Sequence, residues 1–226
     1  MGRIDLGMAS SMSQVIEQLQ WAGHKAGSSG LVLGSGGNLS GRVPGSDVFA
    51  VTGSGTWLDD LGVDDFSIVR LDGAVVDGNP HPSSELKLHL ASYHARPDIN
   101  AIIHLHPQSS VLLDALGHRI RLITIDHVYY VRDIVTTKWL PSGSAELAEA
   151  GADAIKAANV VILGHHGCSV VAETVELAYK RAANLEEAAL ATYRALTLGN
   201  SDAECPSEYR RLLDKRESSV RLRSSH

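Results

Sequence analysis

Two histidines close one apolar run of this chain. Ala101-Ile102-Ile103 reads as a buried strand, His104-Leu105-His106 follows, and Pro107 ends it. Residues i and i+2 of a strand point to the same face. His104 and His106 therefore leave one strand end side by side, as two ligands of one metal ion would. A second apolar run, Val160-Val161-Ile162-Leu163, runs into Gly164-His165-His166-Gly167. Two strand ends bearing histidine can supply the three neutral nitrogens of a catalytic zinc site with an open position.

Three loops carry backbone donors for an anion. Gly34-Ser35-Gly36-Gly37 precedes Asn38-Leu39-Ser40, and glycines let successive N–H groups converge on one point. The loop fits neither a Walker pattern nor a dinucleotide fingerprint. Gly53-Ser54-Gly55-Thr56 is a second such loop, at a strand end. Ser83-Ser84 opens a helix, where free N–H groups and the helix dipole favour phosphate. Taken singly, each is an ordinary turn or N-cap; together with a metal site they point to a phosphorylated substrate. Glu85 follows in the first turn of that helix. On the residues alone it is either a general base or a helix-stabilising carboxylate.

The elements that must position these groups follow from periodicity. Apolar positions at helical spacing predict a helix over 13–27, and the glycines at 27–30 end it. Leu31-Val32-Leu33 begins a strand that enters the first glycine loop. Val48–Thr52 is another strand. Ile68–Leu71 and Ala74–Val76 flank Asp72-Gly73, a hairpin signal. Glu85–His94 reads as a helix ended by Pro97, Ser109–Leu116 as a helix, and Ile120–Ile125 as extended. Helices over 144–157 and 177–196 flank the Val160 strand. The alternation is too irregular for a doubly wound parallel sheet and implies one α/β domain.

Bulk properties narrow the function. The 226 residues are 44% hydrophobic with a formal net charge of -6, which gives no general attraction to nucleic acid or an anionic membrane. The basic C-terminal stretch (Arg210, Arg211, Lys215, Arg216, Arg221, Arg223) reads as a solvated helix and tail. Two cysteines, Cys168 and Cys205, make no disulfide framework, and Cys168 reads as a buried thiol. No apolar run reaches membrane-spanning length and no signal-peptide core opens the chain, so the cytoplasm is the expected compartment.

The motifs Gly37-Asn38-Leu39-Ser40, Thr52-Gly53-Ser54-Gly55, Pro82-Ser83-Ser84-Glu85, Arg96-Pro97-Asp98, His104-Leu105-His106 and His166-Gly167 stand in one order. In that order and spacing the chain resembles the class II aldolase/adducin family from about residue 13 to residue 200. The resemblance implies a three-layer α/β/α fold with a central, largely antiparallel or mixed sheet. It implies one domain over 1–226, with a C-terminal helix and tail from 201. It assigns zinc (or another divalent metal such as Mn2+ or Co2+) to His104, His106 and His166, the last favoured over His165 because it directly precedes the glycine. Phosphate falls to Gly37, Asn38, Ser54, Gly55, Ser83 and Ser84. Glu85 matches the catalytic acid/base, and Tyr129 or Tyr130 lies where family aldolases take a proton-donating tyrosine, often from a neighbouring subunit. Two departures stand out: Gly53 replaces the usual proline, which would loosen its loop, and Trp139 stands where many members carry tyrosine.

The implied activity is reversible cleavage of a ketose 1-phosphate, of the L-fuculose or 5-deoxyribulose type, to dihydroxyacetone phosphate and an aldehyde. Zinc would offset the charge of the enediolate. A homotetramer is implied as well. Sugar-phosphate 4-epimerases, dehydratases and decarboxylases share the scaffold; the epimerases typically carry aspartate where this chain has Glu85. Non-enzymatic adducin-like proteins have lost the metal ligands, which this chain retains.

Overall fold

The computed structural model describes the backbone of residues 7–224 and the side chains of residues 7–216. Its centre is an eight-stranded sheet in the order β4-β3-β2-β1-β5-β8-β7-β6. The strands are β1 (Asn38–Gly41), β2 (Val48–Thr52), β3 (Phe66–Arg70), β4 (Val75–Gly78), β5 (Ala101–Leu105), β6 (Ile134–Thr137), β7 (Val160–Leu163) and β8 (Gly167–Ala172). Every neighbouring pair is antiparallel except β6–β7. The sheet is thus mixed and mostly antiparallel, as expected.

Both faces of the sheet are covered, so the central strands are apolar throughout rather than alternating. One face holds α1 (Met12–Ser28), α3 (Gln108–Ala115) and α6 (Val175–Thr197), packed on Leu39, Ala101, Ile103, Leu105, Ile162 and Val170. The other holds α2 (Leu86–Ala95) and α5 (Ala145–Ala154), packed on Phe49, Val51, Ile102, Val161 and Val171. α1 turns Val15, Leu19, Ala22 and Ala26 inward at helical spacing, and the Ser11 hydroxyl accepts from the Gln14 amide to start it. α4 (Ile125–Tyr130) and α7 (Ser207–Ser224) complete the chain, α4 resting on α6 and α7.

Three sequence expectations change. Leu31-Val32-Leu33 is not a strand: Leu31 and Val32 are buried in the core beneath α1, but the backbone pairs with no strand until Asn38. Ile120–Thr124 is irregular, and Ile125 begins α4, whose Thr124 cap accepts from the His127 amide. β8 extends the Val160 strand into a hairpin, and β6 adds the parallel edge.

Candidate active site

The sheet alternation decides which groups meet. Ile102 packs on the α2 face and Ile103 on the α1 face, so His104 points to the α2 side. β8 pairs with β5 and places Cys168 opposite Leu105, on the other face. Cys168 is therefore a core thiol and not part of the site; burial pushes its pKa up to about 12.

The turn between β7 and β8 delivers the third imidazole. His165 adopts the left-handed conformation (φ 54°), and its amide donates to the Asp114 carboxylate at 2.8 Å. The His166 amide closes the turn on the Leu163 carbonyl at 2.9 Å. Gly167 is required here because a Cβ would lie 2.4 Å from the Leu105 carbonyl oxygen and 2.7 Å from the His106 ring. His165 is left exposed, while His166 turns inward.

His104, His106 and His166 form a triangle, each pair of ring centroids 4.9 Å apart. Their nitrogens and a Glu85 oxygen all lie within 4.8 Å of one another. The Nε2 atoms of His104 and His106 approach to 3.0 Å. Nitrogens bound tetrahedrally to one zinc ion sit about 3.3 Å apart, given Zn–N bonds of about 2.0–2.1 Å. Burial, reinforced by His104 and His166, holds the His106 pKa down to about 4. Burial and then His104 lower that of His166. Neutral imidazoles with free lone pairs are what a divalent cation needs. The buried Nδ1 atoms of His104 and His166 have no protein partner among the described residues. The donor set and its convergence fit a divalent metal.

Glu85 occupies the cap position of α2, one step earlier than expected, and none of its side-chain bonds caps the helix. Ser83 is not the cap; its hydroxyl accepts from the Glu85 amide at 3.2 Å. The buried carboxylate instead faces the sheet. Oε2 lies 2.8 Å from His104 Nε2 and accepts from Asn38 Nδ2 at 3.0 Å. Oε1 accepts from the Ser142 hydroxyl at 3.0 Å and lies 3.6 Å from His166 Nε2. Burial alone would raise its pKa, but His104, then His166 and the Asn38 amide, hold it well below the ordinary carboxylate range.

The donor loops flank this cluster. Asn38 pairs with His104 across β1–β5, and Gly37 (φ 81°) permits the contact, since a Cβ would come within 2.6 Å of the His104 carbonyl oxygen. The second and third loops are stitched together. Ser54 N donates to the His81 carbonyl, Ser83 N to that of Thr52, and Gly53 bridges Pro82. Gly53 does not loosen its loop: its amide donates to Asp65 at 2.7 Å, a bond proline could not make. No protein acceptor meets the amides of Gly37, Gly55 or Ser84 among the described residues.

Other expected residues lie apart. Tyr129 and Tyr130 stack edge to face on α4, and Tyr129 is 53% exposed. Trp139 is also exposed, its backbone against Gly164. A cavity of about 440 Å3 lined by residues such as Arg119, Ile162 and Arg210 opens on the opposite face of the sheet and includes none of the four clustered side chains. Sequence reasoning missed Ser142 and His89. Nothing in the Pro141-Ser142-Gly143 turn signals a partner for Glu85. The spacing Glu85, His89, Tyr93 places three polar groups on one helix face and was a usable signal.

A family model described as Class II Aldolase and Adducin N-terminal domain matches residues 17–193. The chain belongs to this family. It is similar to the 5-deoxy-D-ribulose 1-phosphate aldolase of Bacillus thuringiensis serovar kurstaki, 30% identical over 81% of this chain and 86% of that protein. It is also similar to the L-fuculose phosphate aldolase of Methanocaldococcus jannaschii, 37% identical over 71% of this chain and 86% of the relative. Among solved structures, an L-fuculose 1-phosphate aldolase superposes with a TM-score of 0.83 at 28% identity, covering 93% of this chain and 98% of the other. These relatives and neighbours are class II aldolases, which are lyases, and the chain is an enzyme of that class. Its Glu/His3 cluster could hold a metal ion.

Proposed function

We propose that this class II aldolase is zinc-dependent and cleaves a ketose 1-phosphate, of the L-fuculose or 5-deoxyribulose type, reversibly to dihydroxyacetone phosphate and an aldehyde. The observation that carries the reading is the buried Glu85 carboxylate held against three converging imidazoles, with donor loops beside it. The names of the relatives support the substrate class.

His104, His106 and His166 would hold the cation. When bound, it supplies positive charge against the oxyanion that carbon–carbon cleavage develops. The free amides of Gly37, Gly55 and Ser84, with the hydroxyls of Ser54 and Ser83, would hold the phosphate and fix the scissile bond over the site. Asn38 would border the phosphate rather than donate to it, because its side-chain amide is committed to Glu85 and its backbone pairs with His104 in the sheet. In the synthetic direction the Glu85 carboxylate takes a proton from C3 of dihydroxyacetone phosphate. In cleavage the C3–C4 bond breaks, C4 leaves as the aldehyde, and Glu85 returns that proton to C3. α4, which carries Tyr129, packs on α6, on the face of the sheet opposite α2 and Glu85. The exposure of Tyr129 suits service to the aldehyde oxygen in a neighbouring subunit of a cytoplasmic homotetramer, with Tyr130 packed behind it.

The test is release of dihydroxyacetone phosphate from a panel of ketose 1-phosphates, with and without a chelator. Chelator-sensitive release, restored by Zn2+, is expected. No release from any sugar by zinc-loaded protein would overturn the aldolase reading in favour of a family epimerase, dehydratase or decarboxylase.

A further inference from the structure

Behind Glu85 runs a line of buried polar groups that no metal or substrate role explains. Asn38 Oδ1 lies 2.5 Å from His89 Nε2, His89 Nδ1 lies 2.7 Å from the Ser40 hydroxyl, and Ser40 lies 2.9 Å from the Tyr93 hydroxyl. Ser40 and His89 are fully buried and Tyr93 nearly so, with the Arg42 guanidinium over the Tyr93 ring at 4.8 Å. Such a line costs stability unless every member is satisfied.

Its direction can be worked out from one end. The Asn38 side chain donates from Nδ2 to Glu85 Oε2 at 3.0 Å and so turns its oxygen toward His89. That oxygen only accepts, so His89 Nε2 carries the hydrogen. Neutral His89 then has an acceptor at Nδ1, the Ser40 hydroxyl donates to it, and the Tyr93 hydroxyl donates to Ser40. Burial, reinforced by the nearby His104, pushes the His89 pKa down to about 3, which keeps the ring neutral. The opposite tautomer would flip Asn38 and set its carbonyl against the Glu85 carboxylate.

We propose that His89 is a positioning residue: as its Nε2–H tautomer it fixes the orientation of the Asn38 amide, which in turn holds the Glu85 carboxylate in place. The catalytic consequence rests on the role proposed above for Glu85; the orientation of Asn38 does not. His89 sits one helical turn behind Glu85, so α2 carries both the reacting group and the group that sets it.

Two readouts separate these claims. In metal-free protein, ¹⁵N NMR of the imidazoles should show His89 neutral and protonated at Nε2, and the Asn38 side-chain protons should resist exchange. An imidazolium or an Nδ1–H tautomer overturns the proposal. His89→Leu should release the Asn38 protons to exchange. His89→Gln, whose amide can still donate to Asn38, should keep them protected. If His89→Leu does not fold, His89→Ala replaces it, because it removes the same donor to Asn38. In zinc-loaded enzyme the disrupting variant should lower kcat about 10–100-fold with KM within about threefold, and Gln should recover most of it. Equal kcat in Leu and parent, or equal loss in Leu and Gln, overturns the positioning role. Should the parent release no dihydroxyacetone phosphate, the aldolase reading fails while the NMR results still decide the role of His89.

Discussion

Neighbouring histidines at 165 and 166 have separate fates because of one backbone angle. The left-handed conformation at His165, held by Asp114, sends its side chain to solvent and His166 back toward His104 and His106. His165→Ala should therefore keep full zinc content. Losing a group that merely orients a ligand costs about 10–100-fold in metal affinity, so His166→Ala should lose at least that much. Metal titration against a competing chelator measures both, and equal affinities would refute the assignment. The sequence order His-Leu-His and the glycine after His166 made this trio legible. Asn38 was legible only as a loop residue, because its partners Glu85 and His89 come from a helix far along the chain.

Elements matter here through their ends. α3 follows His106 directly, with Pro107 at its cap and no side-chain cap of its own. Glu186 of α6 fills that role: its carboxylate accepts from the amides of Ser109 and Ser110 and from the Ser110 hydroxyl, at 2.7–2.9 Å. A carboxylate on the first amides of a helix is favoured by the dipole and by charge-assisted bonds. Glu186→Ala should destabilise the protein by about 1–3 kcal/mol, read from a urea midpoint shift, and weaken zinc binding through His106. An unchanged midpoint would show that water serves those donors equally well. Periodicity revealed α1, α2, α3, α5 and α6. It missed α4, whose six residues are too few to show a period, and took its approach as extended. Leu31-Val32-Leu33 looked like a strand because buried apolar residues read alike whether or not their backbone pairs.

At the scale of the whole molecule, buried ionisable groups set the acid limit. His89 remains neutral in the folded state down to about pH 3, whereas the unfolded chain takes up a proton near the ordinary value of 6.5. The unfolded state thus binds more protons across that window, and stability falls as pH falls through it. Glu85 acts in the same direction below its ordinary 4.5, since its folded-state pKa is depressed. Urea midpoints of metal-free protein should drop from about pH 7 to about pH 5, and His89→Gln should flatten that slope. A slope unchanged by the substitution would place the sensitivity elsewhere. The mixed three-layer fold was legible from motif order. The strand order was not, because β5 pairs with both β1 and β8, neither of which adjoins it in sequence.

That pairing also sets a timetable. Glu85 precedes α2, His104 and His106 end β5, and His166 arrives only with the β7–β8 hairpin, while α6, still later, ties down the start of α3 after His106. A growing polypeptide emerging from the ribosome cannot present the full trio of imidazoles until residues beyond 167 have appeared and β8 has zipped onto β5. Capture of the ion is therefore a late event in biogenesis, and a truncated or stalled product lacks the means to sequester it.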